Sequence, residues 1–245
     1  MKRVAVITGG GGGIGRAVAL ALSETDWHVV VAGRTQESLD ETVASMKTDG
    51  LAVACDVSDA ADVSKLFSDT VAKFGQVDML FNNAGIAAPA VPIDELSIDI
   101  WNQVVAINLS GAFMCAQAAF GQMRKQASGG RIINNGSISA TTPRPFSAPY
   151  TCTKHAISGL TKSLSLDGRQ FGISCSQIDL GNVTSKMGDQ MAQGVLQPNG
   201  STLAEPTIPV KPVCDAILYM VNLPKEANVL NMTVMANDMP FVGRG

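Results

Sequence analysis

Histidine is nearly missing from this chain of 245 residues, which has only His28 and His155. The five cysteines, Cys55, Cys115, Cys152, Cys175 and Cys214, include no close pair and no histidine at metal-ligand spacing. They read as reduced core residues, and no metal site is expected. Charge is sparse and nearly balanced, with 18 Lys and Arg against 21 Asp and Glu, a net charge of −3. Without a basic excess, neither nucleic acid nor a membrane surface is expected as a partner. The opening Met1-Lys2-Arg3 and the apolar 4–7 that follow are too short for a secretory signal, so a cytoplasmic location is expected. No internal repeat, linker or low-complexity stretch occurs beyond one glycine run.

Charged side chains are absent altogether from 100–123, a stretch long enough to span a bilayer. Asn102, Gln103, Asn108, Gln117 and Gln122 within it argue against a membrane span. A helix uncharged all round is instead expected to be covered on two sides, by its own sheet and by a second subunit. The expectation is a homo-oligomer, dimer or tetramer, joined through helices at about 98–126 and 150–171.

What is present is an alternation. Short β-branched or apolar runs at 4–8, 28–32, 51–55, 78–82, 131–137, 173–179 and 231–235 read as strands. Between them, 14–23, 36–46, 59–74, 98–126, 150–171 and 213–222 read as helices. This order predicts an α/β fold: a Rossmann-like, doubly wound parallel sheet of about seven strands, in a single domain over 1–245. The region 181–213 breaks the pattern with Pro198, Pro206, Pro209 and Pro212, and is read as a substrate lid. Met187 and Met191 in it are candidate substrate contacts, adaptable and apolar.

Between the first strand and first helix lies Thr8-Gly9-Gly10-Gly11-Gly12-Gly13-Ile14-Gly15. Glycines let the backbone approach a pyrophosphate, and a helix N-terminus offers free N–H groups and the positive end of its dipole. A dinucleotide is the expected ligand; with no GK[ST] ending, a nucleoside triphosphate hydrolase is disfavoured. After the second strand, Gly33 stands where an acidic residue would take a ribose 2′-hydroxyl, and Arg34 could pair with a 2′-phosphate. NADP(H) is therefore preferred, with NAD(H) as the alternative.

Tyr150-Thr151-Cys152-Thr153-Lys154 sets a phenol and an ammonium four residues apart, on one face of a helix. An ammonium beside a phenol favours the phenolate, which makes the pair an acid/base device. Ser137 precedes Tyr150 by thirteen residues, and Ser139 is a supporting serine beside it. His155 points about 100° away from Lys154, so packing or solvent exposure is its expected role.

Together these motifs resemble the short-chain dehydrogenase/reductase family over nearly the whole chain. The resemblance rests on Thr8–Gly15, Asp56-Val57, Asn82-Asn83-Ala84-Gly85, Asn108, Ser137 and Tyr150-x-x-x-Lys154, in order and spacing. It implies a tetrad of Asn108, Ser137, Tyr150 and Lys154, in which Tyr150 passes a proton to or from the substrate oxygen and Ser137 hydrogen-bonds that oxygen. Lys154 would tune the tyrosine and hold the nicotinamide ribose, and Asn108 would hold a water leading to solvent. The cofactor would lie on Thr8, Gly9, Gly13, Ile14, Gly15 and Arg34, with Asp56 and Val57 at the adenine and Asn83, Ala84 and Gly85 on the adenine-ribose side.

Leu180-Gly181-Asn182-Val183-Thr184-Ser185 departs from the family's usual Pro-Gly, although Gly181 and Val183 match. Val183 and a hydroxyl of Thr184 or Ser185 are expected to hold the carboxamide. Arg144, in the loop between Ser137 and Tyr150, is a candidate anchor for an anionic substrate, and Met239 and Phe241 of the atypical tail are candidates to reach a neighbour's pocket. The expected function is an oxidoreductase interconverting a small-molecule carbonyl and its alcohol. The alternative is a catalytically silent dinucleotide-binding regulatory or scaffold protein. A lyase reading is disfavoured by Lys154 and the intact glycine loop.

Overall fold

The protein is described by a computed structural model covering residues 2–184 and 194–242. Seven parallel strands form its sheet: β1 (Arg3–Thr8), β2 (Trp27–Gly33), β3 (Gly50–Ala54), β4 (Met79–Asn82), β5 (Gly130–Asn135), β6 (Ile173–Leu180) and, last in the chain, β9 (Asn231–Val234). Their order is β3-β2-β1-β4-β5-β6-β9, so the winding reverses between β1 and β4 and opens a crevice at the carboxyl ends of those strands. Because successive side chains point to opposite faces, Val4 and Val6 of β1 enter one core while Ala5 and Ile7 enter the other. Burial on both faces explains why these strands are continuous apolar runs rather than alternating ones.

One face is covered by α1 (Gly13–Ser23), α2 (Gln36–Ala44) and α7 (Lys211–Val221), through Val18, Leu22, Leu39 and Ile217. The other carries α3 (Ala60–Phe74) and α5 (Ala112–Met123), through Leu66, Phe67, Ala116 and Met123. The Asp59 side chain caps α3 by accepting from the amides of Ala61 and Asp62, and Gly75 closes it in the left-handed conformation at φ 81°. Four of the cysteines are buried; Cys152, on α6 (Ala148–Gly168), is exposed and departs from the core reading. Burial pushes the Cys115 and Cys175 thiols up to about 12.

The uncharged stretch expected as one helix is three segments: α4 (Ile98–Val105), a π-helical turn at Ala106–Gly111, and α5. The turn lies where long-range contacts outweigh the regular α ladder. A Cβ on Gly111 would come within 2.9 Å of the Val57 carbonyl, and Asn108 bonds the backbone of Ile86. Ile98–Met123 is long and apolar enough to cross a membrane by length and composition alone. Ile98, Phe113 on α5 and Leu166 on α6 remain exposed, at 69%, 48% and 61%.

The region read as a lid has structure of its own. Strands β7 (Val195–Leu196) and β8 (Thr202–Leu203) form a small antiparallel hairpin, and Val183 bridges to Ile208 just before α7. Met187, Met191 and Ser185 lie outside the described residues. In the tail, buried Met239 and partly buried Phe241 pack with Ala236 against Ile138 of the same chain.

Candidate active site

The crevice is floored by side chains that tie one strand end to the next. Thr8, at the end of β1, is buried, and its hydroxyl oxygen accepts the amides of Asn83 and Ala84 at 3.0 Å each. The Asn83 amide donates back to the Thr8 carbonyl at 2.9 Å, and Asn135 at the end of β5 donates to Asn83 Oδ1 at 2.9 Å. The Asn135 carbonyl in turn accepts from Lys154 Nζ at 2.7 Å. A continuous hydrogen-bonded line thus runs from the glycine loop to the catalytic candidate on α6. Thr8 and Asn83 thus place the glycine loop against the end of β4.

The loop itself suits an anionic ligand. Gly13 opens α1 at φ 51°, a left-handed conformation that glycine adopts without strain. Gly15 faces back, where a Cβ would lie 2.2 Å from the Gly9 carbonyl oxygen. Among the described residues no side chain caps the first turn of α1 at Gly12, and a Cβ there would meet nothing within 4 Å, so its amides are left for a ligand. Farther along, buried Asn135 Oδ1 has no protein partner among the described residues. A helix terminus open to anions and an acceptor left for a hydroxyl donor both fit a dinucleotide.

On the adenine side, Arg34 is exposed and Asp56 half-buried, at the ends of neighbouring strands β2 and β3. The hydroxyl and amide of Ser58, with a smaller part from the Arg34 charge, hold the Asp56 carboxyl below the usual range against its partial burial. Val57 is buried against Gly111.

On the reactive side, Ser137 follows β5. Its amide donates to Asp179 Oδ1 at 2.9 Å in place of a neighbouring strand's carbonyl, so β5 ends two residues earlier than expected. The Ser137 hydroxyl oxygen accepts the Ser139 amide at 3.1 Å; Ser139 thus contributes its backbone. The turn Ile138–Ala140 packs against α6, which carries Tyr150 and Lys154 on one face, the ammonium 5.4 Å from the phenol ring centroid. Tyr150 is half-buried and Lys154 buried. Asn108 enters from the π turn: its amide accepts from Ile86 N–H at 2.8 Å and donates to Ile86 C=O at 2.9 Å. Its side chain therefore fastens the segment beyond Gly85 to the helix, and a Cβ on Gly85 would stand 3.3 Å from Asn108 Oδ1.

On the nicotinamide side, a Cβ on Gly181 would stand 2.6 Å from that of Met235, and the Thr184 hydroxyl donates to Ile208 C=O at 3.2 Å. Arg144 corrects the expectation of a free anion anchor: its guanidinium is taken by Glu205 and by Asn182 Oδ1 at 2.9 Å. Glu205 also accepts from Asn182 and Gln197, at 2.9 and 3.1 Å. Burial pushes its carboxyl up, but the bonds from Arg144, Asn182 and Gln197 outweigh burial and hold it below the usual range. Stability from a depressed carboxyl is complete above its unfolded value, about pH 4.3, and is lost as pH falls through the lower folded value. Circular-dichroism melts are expected to lose less stability between pH 5 and pH 3 in Glu205→Gln than in the parent; equal losses would refute this.

His155 Nδ1 lies 2.9 Å from the Thr151 carbonyl and His28 stacks on Phe74, so neither histidine joins the site. Asn135 and Asp179 were missed from sequence. The signal for both was a polar side chain at or near the carboxyl end of a strand. Among the described residues no cluster of histidine, cysteine and carboxylates is placed to hold a metal.

The family described as short chain dehydrogenase matches residues 3–195. A 3beta-hydroxysteroid dehydrogenase of Mediterraneibacter gnavus is 37% identical over 180 residues, 72% of this chain and 64% of that protein. Among solved structures, NAD+-bound xylitol dehydrogenase superposes with a TM-score of 0.86 at 26% identity, covering 95% of this chain and 97% of the other. Actinorhodin polyketide ketoreductase with NADPH superposes at 0.85 with 25% identity, covering 96% of each chain. With the family match extending from β1 through the glycine loop and the Tyr150–Lys154 helix to β7, this chain belongs to the short-chain dehydrogenase/reductase family.

Proposed function

We propose that the protein is an NADP(H)-preferring oxidoreductase that interconverts a small carbonyl compound and its alcohol, with Tyr150 as the acid/base. The carrying observation is the anchored lysine: Lys154 Nζ is bound to Asn135 C=O at 2.7 Å and stands 5.4 Å from the Tyr150 ring. A bound dinucleotide supplies or accepts the hydride. The amides of the α1 N-terminus would hold its pyrophosphate, and Asn135 and Lys154 would hold its ribose. Tyr150 gives its proton to the developing alkoxide, or takes one from the alcohol in reverse, while Ser137 donates a hydrogen bond to the same oxygen. Asn108 serves by positioning, through its two bonds to Ile86. The test is absorbance change of NADPH and NADH against panels of neutral ketones, aldehydes and alcohols; cofactor binding without turnover across the panels would favour the silent, scaffold reading.

The cofactor preference rests on Gly33 and Arg34. A side chain at Gly33 would meet only Leu39, at an ordinary 3.5 Å, so packing does not demand glycine there. The space adjoins the exposed Arg34 and suits a 2′-phosphate. Arg34→Asp is expected to weaken NADPH binding by at least ~10-fold in fluorescence titration, the loss of a charge-assisted hydrogen bond, while NADH binding does not weaken. Unchanged NADPH affinity would remove Arg34 from the site.

The assembly proposed is a dimer or tetramer joined through the helices at about 98–126 and 150–171. The exposed Phe113 and Leu166 support it. Light scattering at micromolar concentration is expected to give a multiple of 25.5 kDa; the mass of one chain would refute it.

A further inference from the structure

An apolar groove of about 450 Å³ lies beside the start of α6, walled by Val91, Ile93 and Leu96 on one side and by Pro143 and Phe146 on the other. Pro149 and Thr151, the neighbours of Tyr150 in the chain, complete its floor. Among the described residues that line it, Arg144 is the one cationic side chain and Asp94 the one carboxylate. The groove adjoins the first turn of α6, which carries Tyr150, while Tyr150 itself does not line it.

Left to itself, a guanidinium on an apolar wall would draw in a carboxylate. Here the position is already filled. Glu205, with a side chain 6% exposed, accepts from Arg144 Nε at 3.3 Å and from Nη2, and Asn182 and Gln197 bind the same carboxylate. The three donors come from different segments: the loop before α6, the turn after β6 and the end of β7. An incoming anion would have to displace a carboxylate that is part of the chain and leave it buried without its cation. We propose that Glu205 is a specificity-determining residue: by cancelling Arg144 it turns the groove into a site for the neutral, apolar part of a ketone or alcohol and excludes carboxylate-bearing substrates. This deepens the carbonyl reductase reading and rests on it for the identity of the reactive end only.

The test uses the NADP+-loaded protein and two probes, phenylcyclohexanone and its carboxyphenyl counterpart, titrated by calorimetry. The parent is expected to bind the neutral ketone ~10-fold or more tightly than the carboxylated one, and Glu205→Gln to raise affinity for the carboxylated probe by ~10-fold, as a freed charge-assisted contact would. Adding Arg144→Met to Glu205→Gln removes that gain. Arg144→Met alone leaves the Glu205 carboxylate without its cation and weakens the carboxylated probe further, an outcome available even if Glu205→Gln fails to fold. Equal affinities in the parent, no gain in Glu205→Gln, or no binding of either ketone at millimolar concentration would each overturn the proposal. If the preference is found but NADPH is not oxidised by the neutral ketone, the specificity assignment stands and the hydride-transfer reading falls.

Discussion

Replacing Tyr150 with phenylalanine is expected to lower kcat and kcat/KM together by ~10²–10⁴-fold, the usual worth of a positioned proton donor, with dinucleotide binding intact. The reason lies in how the lysine is held. Lys154 Nζ donates to the Asn135 carbonyl, a backbone group that does not depend on the phenol, and the aromatic ring beside it survives the substitution. Asn135 is itself fixed to Asn83, and Asn83 to Thr8, so the cofactor cradle keeps its shape. The variant therefore removes one hydroxyl and little else. Steady-state kinetics with a reactive ketone and a parallel cofactor titration separate the two effects. Retained turnover would exclude Tyr150 as the acid, and a matching loss of cofactor affinity would assign it a structural role.

Asp179→Ala is expected to cost about 3 kcal/mol of stability and to reduce turnover as well. The carboxylate is 6% exposed and accepts three N–H groups: Ser137 at 2.9 Å, Gln177 at 2.7 Å and Asn231 at 2.7 Å. Asn231 is exposed and can turn to water, but the other two donors would be left buried, at about 1–3 kcal/mol each. In a chain of this length that loss lowers Tm by ~6–12 °C. The catalytic part follows from the bond to Ser137, since the serine backbone would lose the contact that holds it at the end of β5. A Cβ on Gly136 would stand 2.0 Å from Asp179 Oδ1, so the carboxylate lies directly beneath this turn. Asp179→Asn retains one acceptor oxygen and is expected to keep most of the stability, with Asn231 rotating its amide to match. Thermal melts and kinetics of both variants check this; an alanine variant as stable and active as the parent would show that the bond to Ser137 positions nothing.

Much of the fold could be read along the chain because its determinants are local. Apolar runs at 4–8 and 28–32 are β1 and β2 within a residue or so, and α3 starts one residue after the 59 expected, with Asp59 as its cap. The helix over 98–126 was less legible. Composition reports its apolarity but not the π turn at Ala106–Gly111, which follows from contacts to Val57 and Ile86 far away in sequence. Arg144 shows the same limit: in the sequence it is a loop arginine beside a substrate mouth, while its partner stands 61 residues on.

The sequence by itself determined the chemistry that depends on spacing. The four-residue step from Tyr150 to Lys154 puts phenol and ammonium on one helical face, and a glycine run between a strand and a helix makes an anion cradle, whatever the rest of the chain does. Only the tertiary structure decided what surrounds those groups. The sheet order β1-β4-β5-β6 brings Thr8, Asn83, Asn135 and Asp179 to neighbouring strand ends, and the packing of the 194–208 segment against the loop before α6 neutralises Arg144. A helix period is a property of a few consecutive residues; the partner of a buried polar side chain is fixed by which strands lie side by side, and that is settled only when the whole sheet has formed.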